Sequence, residues 1–528
     1  MATGTLVKLD DSDGEIDTSD QLNMFEAYQK AFIVNGANRK VVDFVNTRLT
    51  SDAQIVANIP SHGDILKQDQ TGLKYAYMVV DYIYYDTITL KHYVYGYAYY
   101  DGTTAFDDAH NVVDLTADAN VIITGGNLSD VAEASTTPHW YDWKPYNGDE
   151  ITYGKLPNKA YLACLYRGRC VVAGDPEHPH QWYMSRQANP WDFAYVANDA
   201  QSPVAGGNAD AGESGDIIRA LISYKDDYLV FGCATSIWFL AGDPCEGGSI
   251  NELDLTTGMF GANSWCFDGL GNLFFWGTNG IYVTSIPGTP KCLSEQALPQ
   301  LVGDENVDPS THRITMAYDR TRAGILICIT RLADGKNSNY FYDLISGGFF
   351  PESYADECGA YSLFYYAANN RDYRDLLIGC KDGYIRKFND SLKNDNDSAD
   401  DPGVGTVKID SYVTFGPIPM ARDQRLTGKL TGLNCITAGG ASGGSDSNDV
   451  SYSVFVGSSA EEVVEKLSAG VNPNAAGIIK APGRNRSGSI HRKISGVYLG
   501  VKLQNNTIDE MWGLEQLLID LKPGGRFK

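Results

Sequence analysis

The segment Gly174-Asp175-Pro176-Glu177-His178-Pro179-His180 sets two carboxylates and two imidazoles side by side, donor types that suit zinc. Two prolines in the same stretch favour a stiff exposed turn over a metal centre. Asp395, Asn396 and Asp397 open like a calcium loop, but Asp400 stands where that loop needs glycine, and the downstream glutamate is missing. Gly440-Ala441-Ser442-Gly443-Gly444 has the letters of a nucleophile elbow. That chemistry needs a strand before Ser442 and a helix after it to strain the turn, whereas here it lies in the flexible run AGGASGGSDSND at 438–449. There is no phosphate-cradling GxxxxGK[ST] loop, no GxGxxG after a strand and no HExxH. Ser264-Trp265-Cys266-Phe267-Asp268-Gly269 lacks the spacing of a sialidase-type turn, and 66 acidic residues admit a glycosidase pair without selecting one. The sequence therefore predicts no catalytic residue, no metal and no cofactor.

One charge anomaly stands out. Residues 466–508 hold Lys466, Lys480, Arg484, Arg486, Arg492, Lys493 and Lys502 with no acid, a local +7 within a chain of net charge −24. Such a block reads as a docking patch for an acidic neighbour or a DNA contact, or else as an ordinary solvated loop. Docking to protein is favoured over nucleic acid, because interleaved stacking aromatics are missing.

The elements that must position these residues follow from composition and pattern. The 528 residues allow roughly two to four domains with a sizeable core. At 43% hydrophobic and 20% charged the chain is globular, and its acidic balance argues against a surface that clamps nucleic acid throughout. No 18-residue apolar run predicts a membrane-spanning helix, and the opening MATGTLVKLDDSDGEID has no signal layout. Ten separated cysteines without a CxxC pair predict free thiols of a reducing compartment.

Thirty-three tyrosines and 55 glycines favour strands, so the expected class is mainly β. From about 155 to 390 an apolar strand, a turn and an aromatic strand recur about every 45–55 residues, as in Tyr228–Gly232 with Ser236–Leu240 and Leu273–Gly277 with Gly280–Val283. That is the length of a four-stranded blade, and a blade cannot cover both its faces alone. The expectation is a β-propeller of about five or six blades. Residues 1–24 are read as an arm, 25–60 as the first propeller strands, 61–154 as a Tyr-rich β insertion and 155–390 as the propeller. An acidic linker at 391–405 leads to a β-sandwich-like domain at 406–528, with a short helix over 459–467. The tyrosines of 74–100 are expected either as an exposed interface or as one lined face of a sheet.

A second pattern lies in Arg169-Cys170-Val171-Val172-Ala173-Gly174-Asp175-Pro176, followed by Gln181–Ser185 and Asn189-Pro190-Trp191-Asp192-Phe193. It resembles the tail nozzle (tail tubular protein B, tail hub or packaged-DNA stabilisation) proteins of short-tailed bacteriophages, as do Tyr28–Gly36 and Gly513-Leu514-Glu515 with Leu521–Arg526. The resemblance implies a non-enzymatic virion protein, assembled in the host cytoplasm as a homohexameric ring. The ring would meet a tail adaptor, with tail fibres or spikes nearby, and pass double-stranded DNA without binding it specifically. It makes Arg169, Gly174, Asp175, Pro176, Pro190, Asp192 and Phe193 a family turn. The alternatives are a carbohydrate- or receptor-binding propeller, whose tyrosines and tryptophans stack on sugars, and a propeller glycosidase.

Overall fold

In a computed structural model of the protein, the described residues are 16–17, 21–101, 105–134, 138–206, 212, 214–389, 393–396, 406–423, 425–439, 446–487 and 494–526. The chain divides into two compact units: Met1–Ala333 with Ser338–Glu352 and Ala360–Ile378, and Asp334–Asn337 with Ser353–Gly359 and Gly379–Lys528. The class is mainly β, built from many small antiparallel sheets.

In the first unit, four-stranded sheets succeed one another along the chain. One holds Asn23–Ala27, Lys30–Val34, Arg39–Asp43 and His139–Asp142; the next holds Leu162–Tyr166, Arg169–Asp175, His178–Met184 and Val204–Ala205. A third holds Ile218–Tyr224, Tyr228–Cys233, Ile237–Ala241 and Ser249–Asp254. The fourth comprises Trp265–Phe267, Leu273–Gly277, Gly280–Thr284 and Lys291–Cys292. The fifth comprises His312–Asp319, Gly324–Arg331, Asn337–Asp343 and Phe349–Glu352, after which Ala360–Tyr366 pairs with Asp375–Cys380. Opening strands from Leu162 onward start 56, 47, 47 and 48 residues apart, close to the spacing read from the sequence.

Continuous apolar runs such as Cys170-Val171-Val172-Ala173 mark strands covered on both faces. Because side chains alternate across a strand, Cys170 and Val172 pack toward the first sheet while Val171 and Ala173 join Leu221, Phe231 and Leu240 of the third. The next interlayer holds Ala220, Val230 and Phe239 with Leu273, Phe275 and Tyr282. Phe274, Trp276 and Ile281 then meet Ile314, Ile325 and Ile327. Each buried apolar side chain contributes about 1.5–3 kcal/mol, so these shared layers hold each of these sheets to the next. Cysteines sit in these layers, with Cys170 and Cys233 fully buried.

Between Asp43 and His139 the chain leaves the first sheet. A seven-stranded sheet runs in the order Ala119–Asn120, Val112–Asp114, Ile65–Gln70, Lys74–Asp86, Lys91–Asp101, Thr47–Ser51, Val131–Ala134. The excursion therefore begins at Thr47 rather than at 61, and Thr47–Ser51 and Ile55–Ala57 belong to it rather than to the first repeat. The first strand, Asn23–Ala27, likewise starts inside the segment read as an arm, of which Ile16, Asp17, Gln21 and Leu22 are also described.

The second unit contains two sheets. Ser411–Pro419, Tyr498–Asn505, Val450–Gly457 and Ala475–Ile479 form one; Leu426–Thr437 carries Gly483–Arg486, Ile494–Gly496 and Leu514–Arg526 in the other. Leu430, Leu433 and Cys435 pack with Val454, Leu499 and Val501 in a shared core. The helix spans Ala460–Ala469, where Ser459 accepts from the Glu462 amide and Gly470 closes the far end in the left-handed conformation (φ +65°). Most of the expected linker, including Asp397 and Asp400, lies outside the described residues, as do Gly440-Ala441-Ser442-Gly443-Gly444.

Candidate functional site

Three surfaces of the first unit gather aromatic or polar side chains. The first lies on the seven-stranded sheet. In the Lys74–Asp86/Lys91–Asp101 hairpin Tyr77 pairs with Tyr99, and Val79 with Tyr97, so Tyr75, Tyr77, Tyr97 and Tyr99 share one face. The rings of Tyr77 and Tyr99 stack at 4.9 Å and 8°, with Tyr75 6.2 Å from Tyr77 and Tyr97 6.5 Å from Tyr99. Tyr97 is 60% exposed and Tyr99 39%. Lys67 rests its ammonium 4.4 Å above the Tyr75 ring and pairs with Asp69 at 2.5 Å, placing polar groups at the edge of the aromatic strip.

A bulge between Val80 and Tyr82 takes up one extra residue, so Tyr82 opposite Tyr95 and Tyr84 opposite Tyr93 continue the same face. Beyond it Tyr82 is fully buried and stacks on Trp191 at 4.1 Å and on Tyr141 at 5.3 Å, while Tyr95 lies 4.2 Å from Tyr141. The tyrosines thus line one face of the sheet, uncovered at one end and packed against Tyr141 and Trp191 at the other.

The second surface is a cleft of about 240 Å³ where the opening strands of successive sheets begin. Gln21, Tyr161, Arg219, Asn263, His312 and Arg313 supply its polar lining. Tyr161 donates to the Ile218 carbonyl at 3.1 Å, and Gln21 donates to the Tyr361 carbonyl at 3.3 Å. The Arg313 guanidinium lies 4.6 Å over the Tyr361 ring. His312 Nδ1 meets the Asp308 amide at 3.3 Å and the Thr311 hydroxyl at 2.9 Å. None of these polar lining groups was singled out from sequence. They fall at the starts of successive repeats, His312 and Arg313 together in one, and only laying the repeats over one another would align them.

A third cleft, of about 590 Å³, is lined by Arg167, Lys225, Asp226, Asp227, Asp243 and Glu246. Asp226 accepts from the Arg167 amide at 2.6 Å and Asp243 is taken up by Arg169, so two of its carboxylates already serve structure.

The turn residues that carried the phage resemblance are architectural. Arg169 is fully buried, bonds Asp243 through two nitrogens, and donates to the carbonyls of Ser185, Ala200, Gln201 and Ser202. Gly174 stands at φ +76° in a bulge, where a Cβ would come within 2.7 Å of the Tyr161 ring. Asp175 accepts from the Glu177 amide across the turn that holds Pro176. The Pro190 carbonyl accepts the Trp143 indole at 3.0 Å. Asp192 accepts from Ala194, and burial raises its carboxyl above the ordinary value. Phe193 packs 6.3 Å from Trp143. Glu177 meets Lys159 at 3.5 Å, and among the described residues no group of three or more His, Cys, Asp and Glu is placed to hold a metal.

The basic window reads differently in space. Lys466 pairs with Glu462 at 2.7 Å, Lys480 with Asp449 at 2.6 Å, and Arg486 with Asp520 at 3.7 Å. Lys502 sits 4.2 Å over Tyr412, Arg484 is exposed on its strand, and Arg492 and Lys493 lie outside the described residues.

No family model matches the chain, and no curated protein matches it. Among solved structures, the extracellular domain of a hybrid two-component system protein from B. thetaiotaomicron aligns at TM-score 0.34 and 8% identity, over 90% of this chain and 48% of that one. An auxiliary nutrient binding protein from Bacteroides ovatus aligns at 0.27 and 8%, over 70% and 86%. A protein of unknown function from Bacteroides thetaiotaomicron aligns at 0.26 and 10%, over 70% and 98%. The chain spans about half the length of the first of these. Likeness at this level carries no argument about what this chain binds. The tail-nozzle resemblance is corrected: no family or curated match sustains it, and the solved structures named here are bacterial proteins rather than phage tail parts. With it fall the virion localisation and the implied ring, adaptor, fibre and DNA contacts. Among the described residues no helix is long and apolar enough to cross a membrane.

Proposed function

We propose that this chain is a non-enzymatic binding protein whose first unit is a six-bladed β-propeller and whose exposed tyrosine face engages a neutral glycan. The carrying observation is the Tyr75, Tyr77, Tyr97 and Tyr99 strip. Two of its rings are stacked nearly parallel, and two present more than a third of their surface to solvent. A flat aromatic strip matches the C–H faces of pyranose rings, and contiguous exposed apolar surface on a β-sheet marks an interaction site. Lys67 and Asp69 at its edge supply a donor and acceptors for sugar hydroxyls.

The propeller reading rests on the repeat length, on the shared interlayers and on the bond from Gln21, just before the first sheet, to Tyr361 in the last opening strand. It also accounts for the first sheet. Asn23 and Leu162 open strands 139 residues apart, and removing the 95 residues between Asp43 and His139 leaves 44, one blade. The two sheets of the second unit with their shared core suit a β-sandwich. A glycan array followed by calorimetry tests the function. Micromolar-to-millimolar binding of neutral oligosaccharides that weakens in Tyr97→Ala and Tyr99→Ala is expected, and an array without hits, or binding indifferent to both changes, refutes it.

A further inference from the structure

A further cleft of about 230 Å³ lies where residues 155–159, leading into the second sheet, pass the turn between Arg169–Asp175 and His178–Met184. Lys155, Lys159, Asp175, Glu177, His178 and Tyr183 stand on its wall.

Gly174 decides where Asp175 points. Along a regular strand Asp175 shares a face with Ala173, which packs in an apolar layer. Here the register shifts between Ala173 and Asp175, with Gly174 at φ +76°, and such a bulge re-aims the side chain that follows. Asp175 therefore lines the cleft, although it is only 7% exposed. Its Oδ1 serves the turn, accepting the Glu177 amide at 3.2 Å. Among the described residues no donor meets Oδ2, and that atom is not sealed in the interior but opens on the cleft. A carboxylate so far removed from water is costly to hold unless a donor reaches it.

The other charges divide into a pair and a remainder. Lys159 and Glu177 meet at 3.5 Å and offset each other. Lys155 is exposed, and among the described residues no hydrogen bond or ion pair ends on its ammonium. Lys155 and Asp175 Oδ2 are thus left to meet a ligand, beside the His178 imidazole and the Asn158 amide. The Tyr183 hydroxyl is spent on Gln181 at 2.9 Å, so its ring serves the cleft as an apolar wall.

We infer that this cleft binds a small zwitterion, a free α-amino acid, whose ammonium meets Asp175 Oδ2 and whose carboxylate meets Lys155. Opposite charges on neighbouring atoms of the ligand answer opposite charges on one wall, and both bonds are charge-assisted. At about 230 Å³ the cleft falls below the roughly 300–1,000 Å³ of sites for drug-sized ligands, which suits a molecule this small. The amino acid's side chain lies against Tyr183.

The test is a thermal-shift screen of the full chain with the twenty standard amino acids, followed by calorimetry on the best binder and on its N-acetyl and amide forms. At least one amino acid is expected to bind. Its N-acetyl form, which lacks the ammonium, should bind about tenfold more weakly or worse, since a charge-assisted bond is lost. Asp175→Asn keeps an acceptor for the Glu177 amide and should weaken the amino acid to a similar extent. Should Asp175→Asn fail to fold, Lys155→Met, at an exposed position, carries the test. It should weaken the amino acid severalfold and leave the amide form, which has no carboxylate, unchanged. Absence of binding by all twenty, or binding that the N-acetyl form and the folded variants keep at full strength, overturns the assignment. Tyr99→Ala should leave amino-acid binding unchanged, so failure here and failure of the glycan reading are separately visible.

Discussion

The Arg169 guanidinium closes on the Asp243 carboxylate, Nε to Oδ2 at 3.0 Å and Nη2 to Oδ1 at 3.3 Å, tying the second sheet of the first unit to the turn that follows the third strand of the next. Both groups are removed from water, and Asp243 also accepts the Cys245 amide. Burying a charged pair is favourable only when every remaining donor is met, and here four carbonyls meet them.

Removing one partner should therefore be costly. Arg169→Met leaves Asp243 buried and unpaired and strips the donor from Ser185, Ala200, Gln201 and Ser202. A loss of about 3–5 kcal/mol in urea unfolding is expected. The double variant Arg169→Met/Asp243→Asn should be less damaged than the two single losses added together. A single-variant loss below about 1 kcal/mol would show the pair to be incidental.

Gly174 predicts a second defect, with a different cause. Its φ of +76° disfavours a side chain by about 1–2 kcal/mol, and a Cβ would press on the Tyr161 ring at 2.7 Å. Gly174→Ala should lower stability by at least that amount. Thermal unfolding of parent and variant checks this, and an unchanged midpoint would show that the Tyr161 ring yields without cost.

These two residues also show what a sequence makes legible. Gly174 and the turn at Asp175-Pro176 announce themselves locally, as do the strand pairs around Tyr228 and Leu273, since turn chemistry and apolar runs are properties of neighbours in the chain. The partner of Arg169 is 74 residues away, and nothing near it marks Asp243. The Thr47–Ser51 strand belongs to another sheet for a related reason: its partner lies in Lys91–Asp101, where Thr50 meets Tyr93, 43 residues along the chain. Counting charge along 466–508 missed Glu462, Asp449 and Asp520, which approach from outside the window. The arginine cleft was invisible because each repeat supplies it with only one or two groups.

Protonation gives a third prediction. His92 is buried in the excursion, where its Nδ1 accepts the Ile55 amide at 2.9 Å, so the ring is held neutral. Burial lowers its pKa from 6.5 to about 4. The unfolded chain takes up the proton near pH 6.5 and the folded chain only near 4. Stability is therefore complete above pH 6.5 and declines by up to about 3 kcal/mol as pH falls to 4. His139, also lowered by burial and by Arg48, acts in the same direction. Urea unfolding between pH 7 and 4 should show this slope, and His92→Asn should flatten part of it; an unchanged slope would assign the loss to other groups.

The tyrosine hairpin yields the last prediction, because its two ends should respond oppositely to the same substitution. Tyr82, stacked on Trp191 and Tyr141, belongs to the core, and Tyr82→Ala should cost about 3–5 kcal/mol, as truncating a buried aromatic does. Tyr97 and Tyr99 stand at the uncovered end of that face, so Tyr97→Ala should leave stability within about 1 kcal/mol of the parent. Its effect belongs to binding. An aromatic pair is worth roughly 0.5–1.5 kcal/mol beyond buried area, so losing one ring should weaken a stacked sugar about two- to tenfold. Tyr99→Ala should cost more than Tyr97→Ala, since it also removes the 4.9 Å partner that holds Tyr77 flat. Tyr99→Phe keeps the face and should retain most of the affinity. A Tyr97→Ala variant that unfolds while binding is untouched would place this strip in the architecture and remove it from recognition.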